Sequence, residues 1–338
     1  MTPVPADSVP VIGVDEIDSA IDRRGAADAI EAALRDGVDI ESDAPRLFSP
    51  LDSGEFLLMP TQSSEHAGIK VVTVAPRNTE RGLPKIQAWY LVFDAETLSP
   101  LAILEGARLT TLRTPAVTAV AIRAMLQADP RGPQQGIGSL AVLGSGPQAE
   151  AHVRTLADLL PVGEVSIVGR TPHRAAELVE RLDADGIRAR AASAEAAELR
   201  AADVVVTATS SSTPVVGRRD VGDHAVIAAI GSHGAAHREL SADLVTDADL
   251  VVEARASAFR ENGNLLQARG LADWQAGAQR VTNLRELIAG AFVRRDARPA
   301  VYTGVGMSWE DLAVVARILK SARGADASPR RGNTDVRK

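Results

Sequence analysis

The stretch Leu140-Ala-Val-Leu-Gly144-Ser-Gly146-Pro147-Gln148-Ala149 constrains this chain more than any other, because it reads as a buried strand entering a G-x-G-x-x-A turn and then a helix. The first glycine permits the tight turn, the second lets the backbone approach a pyrophosphate, and Ala149 lets helix and strand pack closely. Phosphates would then rest on the unpaired N–H groups of the helix N-terminus. Gly-rich turns also join strands to helices for packing alone, so the surroundings decide. Here a strand over 139–143, a helix over 146–160, a strand over 164–168, a helix over 172–182 and a strand over 203–207 follow in βαβαβ order. That order specifies a parallel sheet and a dinucleotide-binding half.

The second of these strands runs into Gly169-Arg170-Thr171, where an NAD enzyme ordinarily carries an Asp or Glu for the ribose 2′-hydroxyl. Arg170 supplies a cation there and Thr171 a hydroxyl, with Arg174 a second cation. The set suits a 2′-phosphate, so NADPH is expected over NADH, although Arg170 also reads as a solvated loop residue.

The rest of the chain follows a different plan. Apolar residues at helical spacing over 14–36 predict an opening helix stopped by Gly37, and four β-rich runs follow at 55–59, 68–75, 87–93 and 101–105. Successive strands without intervening helices predict an antiparallel sheet. A helix over 109–127 leads to a turn-rich hinge at 129–133, and further strands are expected at 225–230, 250–252 and 300–303 before a last helix at 309–322. No internal repeat is visible. At 338 residues, two domains are the starting expectation. The division drawn is 1–118 with 306–325 as an α+β substrate-binding and dimerisation domain, 119–305 as a Rossmann domain, and 326–338 as a disordered tail.

Composition narrows the function. A net charge of −7 argues against a nucleic-acid surface, and the absence of cysteine removes thiol chemistry, disulfides and Cys-ligated metals. With no basic leader and no apolar run of about 18 residues, no membrane association is expected and the cytoplasm is the expected compartment.

Three basic residues stand outside the dinucleotide half: Arg46 in Ala-Pro-Arg-Leu-Phe, Lys70 in Gly-Ile-Lys-Val-Val and Arg113 in Leu-Thr-Thr-Leu-Arg-Thr-Pro. Each alone reads equally as a surface charge, and spacing does not bring them together.

The segments Gly68-Ile-Lys70, Leu104-Glu-Gly106, Leu109-Thr-Thr-Leu-Arg113-Thr-Pro-Ala, Gly144-Ser-Gly146-Pro-Gln148-Ala149, Val206-Thr-Ala-Thr-Ser-Ser and Val305-Gly-Met-Ser-Trp-Glu-Asp-Leu together resemble the ornithine cyclodeaminase and mu-crystallin family. The resemblance is collinear from about Arg46 to Leu312. It implies a homodimer formed through the sheet domain, which the C-terminal helix completes, with a Rossmann domain inserted between them. It further implies that Arg46, Lys70 and Arg113 hold a substrate carboxylate. Gly144, Gly146, Gln148, Arg170, Thr171 and Val305 match cofactor positions, and Thr114, Pro147, Arg174, Thr207, Ala208, Thr209, Gly231 and Ser232 complete the expected cofactor surroundings.

One departure matters. Anchoring on Glu239-Leu240 sets His233 where cyclodeaminases carry an Asp, with Ser232 the other near candidate. His233 and His237 are four apart, but Gly234 argues for a loop, so no metal site is expected. His233, whose ordinary pKa suits proton transfer, and Lys70 are therefore the catalytic candidates. The leading expectation is an NADPH-dependent reductase of small imino acids such as cyclic ketimine carboxylates. The runner-up is an ornithine cyclodeaminase or amino-acid dehydrogenase, and a third reading is an NADP-dependent binding protein without turnover.

Overall fold

The computed structural model describes residues 9–131, 134–193, 196–232 and 234–326. His233 and the tail expected over 326–338, apart from its first residue, lie outside the described residues. Two sheets organise the chain. The first has six strands in the order Val11–Ile12, Pro100–Glu105, Ile86–Asp94, His66–Val74, Gly54–Gln62 and Leu47–Leu51. The second has eight, ordered Val281–Asn283, Asp249–Val252, Ala300–Thr303, Val226–Ala229, Val204–Thr207, Ile137–Leu143, Val162–Val168 and Ala189–Ala192, all parallel. The fold is therefore α/β, a Rossmann-type sheet joined to an α+β unit.

The first sheet is mixed rather than purely antiparallel, because Val11–Ile12 pairs parallel to Pro100–Glu105 ahead of the four strands read from the sequence. The strand Leu47–Leu51 also escaped the pattern: every residue in it is exposed, so it carries no alternation to read. The single opening helix is two, Val14–Ala20 and Arg23–Arg35. Ile21 turns extended between them, and the Asp22 carboxylate caps the second by accepting the Gly25 N–H at 2.6 Å.

Within His66–Val74 the residues at His66, Gly68, Lys70 and Val72 are buried and alternate with partly exposed ones, which turns Lys70 to the inner face. Against that face lie the helix Gly106–Gln127 and the C-terminal helix Ser308–Asp326. Glu105 caps the former, accepting from Ala107 N–H at 3.2 Å and Arg108 N–H at 2.5 Å, so the helix begins three residues earlier than its apolar period indicates. It is buried on almost every side and belongs to one continuous core running from the first sheet to one face of the parallel sheet. The turn read as a hinge is clamped at its start: buried Asp129 accepts from Arg131 N–H at 2.9 Å and from the buried Arg294 guanidinium at 3.1 Å.

Candidate functional site

From Ile137–Leu143 the chain winds outward through Val162–Val168 to Ala189–Ala192, then returns to the opposite side of the first strand at Val204–Thr207. The connections diverge there, opening a crevice at the carboxyl ends of the two neighbouring strands, the usual ligand position in such sheets. The Gly-rich turn occupies this point. Gly144 has φ +131°, and a Cβ on it would stand 2.6 Å from the Ala208 carbonyl oxygen, so no other residue fits. Gly146 is the N-cap of the helix Pro147–Leu159, and a Cβ there would meet nothing within 4 Å. Gln148 Oε1 and Thr114 Oγ1 are buried without a hydrogen-bond partner. An open helix start, with the Thr114 hydroxyl still able to donate, fits a dinucleotide phosphate.

Gly169 abuts the same turn, its would-be Cβ 3.4 Å from Ser145 Oγ. Arg170 and Arg174 beyond it are exposed, and neither has an ion-pair partner among the described residues. Thr171 is the extended N-cap of Pro172–Ala184, with no side-chain capping bond.

The next strand ends are tied by a residue the sequence reading used only as an anchor. Glu239 is fully buried and accepts from Thr207 Oγ1 at 2.9 Å, Thr209 N–H and Oγ1 at 2.7 Å each, and Gly231 N–H at 2.7 Å. Burial pushes its carboxyl up against the pull of those four bonds. Ser232 Oγ, also buried, accepts from Asn264 Nδ2 at 2.7 Å, and the same amide donates to Thr303 Oγ1 at 3.0 Å. Thr207, Thr209, Gly231 and Ser232 thus converge on one polar network, with Ala208 between them fixed by its N–H to Leu143 O at 2.8 Å.

Arg46, Lys70 and Arg113, scattered in sequence, gather around the turn after Ala300–Thr303. Arg46 donates to the Val305 carbonyl, and its Nε lies 3.5 Å from Glu261 Oε2. Lys70 Nζ donates to Asp311 Oδ2 at 2.7 Å. Arg113 Nη1 donates to Glu310 Oε2 at 2.7 Å, with its Nε 3.3 Å from Asp311 Oδ1. The cluster pairs its cations with carboxylates rather than being simply cationic. Burial first, and then the charge of Arg113, push the Lys70 ammonium down to about 8. Burial alone would weaken the Arg113 proton too, but Asp311, Glu310 and Glu253 outweigh it and hold the guanidinium charged.

The turn itself is built by close approach. Gly306 has φ +79°, and a Cβ on it would stand 2.7 Å from Arg113 Nη1. Glu253 holds the turn from behind, accepting from Val305 N–H at 2.7 Å and Gly306 N–H at 2.9 Å. Glu253, Glu261, Glu310 and Asp311 were not singled out as site residues. The signal available was the adjacent acids in Trp309-Glu-Asp-Leu ahead of the apolar run Ala313-Val-Val-Ala, though acids in a helix's first turn read equally as a solvated start.

A parallel sheet with a glycine turn at its switch point, beside a buried cluster of paired Arg and Lys, defines a dinucleotide-binding type of α/β protein. Residues 11–326 match the family model described as the ornithine cyclodeaminase/mu-crystallin family, and the chain belongs to that family. Among its relatives, Delta(1)-pyrroline-2-carboxylate reductase 2 of Burkholderia ambifaria is 34% identical over 279 residues, covering 79% of this chain and 81% of that one. Delta(1)-pyrroline-2-carboxylate/Delta(1)-piperideine-2-carboxylate reductase of Azospirillum brasilense is 33% identical over 288 residues, covering 85% and 86%. The solved structure of an archaeal alanine dehydrogenase dimer with bound NAD superposes with TM-score 0.82 at 26% identity, covering 94% of this chain and 97% of that one. Among the described residues, no helix is long and apolar enough to cross a membrane, and no group of three or more His, Cys, Asp or Glu is arranged to hold a metal.

Proposed function

We propose that this protein is a reductase of cyclic imino acids, with NADPH preferred over NADH. The observation that carries the reading is the convergence of Arg46, Lys70 and Arg113 on the Val305 turn, at the same sheet edge as the dinucleotide crevice. The two pyrroline-2-carboxylate reductase relatives support the substrate class. Arg113 and Arg46 grip the substrate carboxylate, and Lys70 adds a point charge. When bound, the reduced nicotinamide supplies the hydride that the imine carbon accepts as the C=N π bond opens toward nitrogen. The nitrogen takes its proton from His233 or Lys70, the latter poised by a pKa near 8. Fixing the carboxylate fixes the imine carbon, so the protein's contribution is chiefly positioning.

Thr114, Gly144, Gly146, Pro147, Gln148, Thr207, Ala208, Thr209, Gly231, Ser232 and Val305 surround the cofactor in this reading. Unpaired Arg170 and Arg174 with Thr171 receive the 2′-phosphate. The proposed units are 1–118 with 306–325 and 119–305. The first sheet exposes Leu47, Phe48 and Leu51 on its edge strand and Trp89 on a strand separated from that edge by two others, apolar side chains that a second copy of this chain would cover in a cytoplasmic homodimer.

The test is nicotinamide absorbance with NADPH or NADH against Δ1-pyrroline-2-carboxylate and Δ1-piperideine-2-carboxylate, beside ornithine with NAD⁺. Oxidation of NADPH by the ketimines without ammonia release from ornithine is expected. Robust ammonia release would put the lyase reading in its place, and a ligand that stabilises the protein with constant absorbance would make it a binding protein.

A further inference from the structure

Behind Arg113 lies a buried pair of carboxyl groups with one hydrogen too few. Both oxygens of Glu253 are taken by donors: Oε2 accepts from Val305 N–H at 2.7 Å, Oε1 from Gly306 N–H at 2.9 Å, and Tyr302 OH reaches Oε1 at 3.4 Å. Glu310 accepts from Arg113 on Oε2, while its Oε1 is buried and has no partner that can donate to it. An ionised Glu310 would leave Oε1 as buried charge with no donor, and the charge of Glu253 adds to that cost. A proton on the carboxyl removes both penalties. Glu253 already receives main-chain N–H groups and has little room for one, which leaves Oε1 of Glu310 as its seat.

We propose that Glu310 is a neutral carboxylic acid in the working protein, its Oε1–H donating to Glu253, and that this neutrality keeps Arg113 available to an incoming carboxylate. The second half rests on the function proposed above. With Glu310 neutral, the acids left on the cations are Glu261 on Arg46 and Asp311 on Lys70 and Arg113, with Glu253 behind the turn. Asp43, the remaining acid nearby, accepts the Ser308 N–H at 2.8 Å, and burial pushes its carboxyl up. Ionising Glu310 would add an anion directly on the guanidinium and repel the substrate. Burial first, then the charge of Glu253, push the Glu310 carboxyl well above the ordinary range, in keeping with the hydrogen-bond accounting. Glu310 is thus a positioning residue that sets the charge of the group in front of it.

The roles of the two acids are unequal, and amide variants separate them. Glu310→Gln keeps both contacts, since its carbonyl still accepts from Arg113 and its N–H donates to Glu253. Glu253→Gln turns an amide N–H toward main-chain donors and loosens the turn. The KM for Δ1-pyrroline-2-carboxylate should therefore rise roughly tenfold more in Glu253→Gln than in Glu310→Gln, the effect of one buried group left unpaired. If Glu253→Gln folds too poorly for kinetics while Glu310→Gln folds normally, that loss of folding is itself the expected ordering, and the reverse pattern overturns it. Infrared difference spectra supply a readout that packing alone does not move: a protonated-carboxyl band present in the native protein should vanish in Glu310→Gln. An unchanged band, or the reverse ordering of the two variants, would overturn the proton assignment. A vanished band with the expected stability order, but imino-acid affinity unmoved in both variants, would instead overturn the link to Arg113 and the substrate reading with it.

Discussion

Arg170 and Arg174 stand exposed and unpaired beside the glycine turn, whereas Lys70 and Arg113 are buried, each held by a carboxylate before any ligand arrives. Both regions present cations to an anion, but at different cost. An exposed guanidinium gives up little hydration and fixes nothing around it, so it is free to adjust to a phosphate. A buried one requires counter-ions, and those counter-ions belong to other elements of the fold. The contrast teaches that the first region can change its ligand preference by a single substitution, while the second is bound up with the packing of the first sheet against the C-terminal helix.

The sharpest way to break the comparison is Arg113→Ala. It removes the proposed carboxylate grip and leaves Glu310 and Asp311 facing less positive charge, so the imino-acid KM should rise by roughly 30- to several-thousand-fold, equivalent to about 2–5 kcal/mol. NADPH affinity, titrated separately, should hardly move. Unchanged steady-state kinetics would take Arg113 out of the site.

Arg170→Ala acts on the other region and should cost less. One charge-assisted hydrogen bond is worth roughly 1.5–3 kcal/mol, so the native protein should favour NADPH over NADH by roughly 10- to 100-fold, and the variant should lose most of that gap without loss of thermal stability. Equal dissociation constants for the two cofactors in the native protein would remove the premise.

The smallest effect expected is a pH dependence that only the buried region can show. Lys70 has its ammonium pushed down to about 8 from an ordinary value of 10.5. Below about 8 the folded and unfolded chains both hold the proton, and the cost of burying it is fully present. Between there and the ordinary value only the unfolded chain holds it, so stability rises with pH in that window. Imino-acid affinity runs the other way, falling by no more than about tenfold from pH 7 to 9 as the cation is lost. Stability and KM measured across that range should climb together in the native protein, and Lys70→Met should flatten both limbs. A native KM that stays level through pH 9 would show that the ammonium makes no contribution to binding.

The two regions were also unequally legible. The glycine turn is written in ten consecutive residues, because its function is a property of local backbone: a positive φ at Gly144, a helix start at Gly146, a strand before them. Six of the eight strands in the parallel sheet were readable because continuous apolar runs follow from burial on both faces, whereas the partly exposed edge strand Ala189–Ala192 and the three-residue Val281–Asn283 were not. Arg46, Lys70 and Arg113 carried no local signal of convergence, and only resemblance grouped them. Their counter-ions were missed because a carboxylate on a helix ordinarily reads as its solvated face. Glu239 was equally opaque: its four donors come from two different strand ends, and no spacing rule joins them. The exposed strand Leu47–Leu51 and the break at Ile21 were missed through absence of pattern rather than misreading of it.

Asp311, the counter-ion shared by Lys70 and Arg113, lies far along the chain, 241 residues from Lys70. A ribosome delivers the cations early and their shared counter-ion late. Without the C-terminal helix the first sheet lacks Asp311, and burying Lys70 and Arg113 there costs more than it does in the complete fold. The charge cluster is thus completed by a contact between distant parts of the chain rather than by local folding.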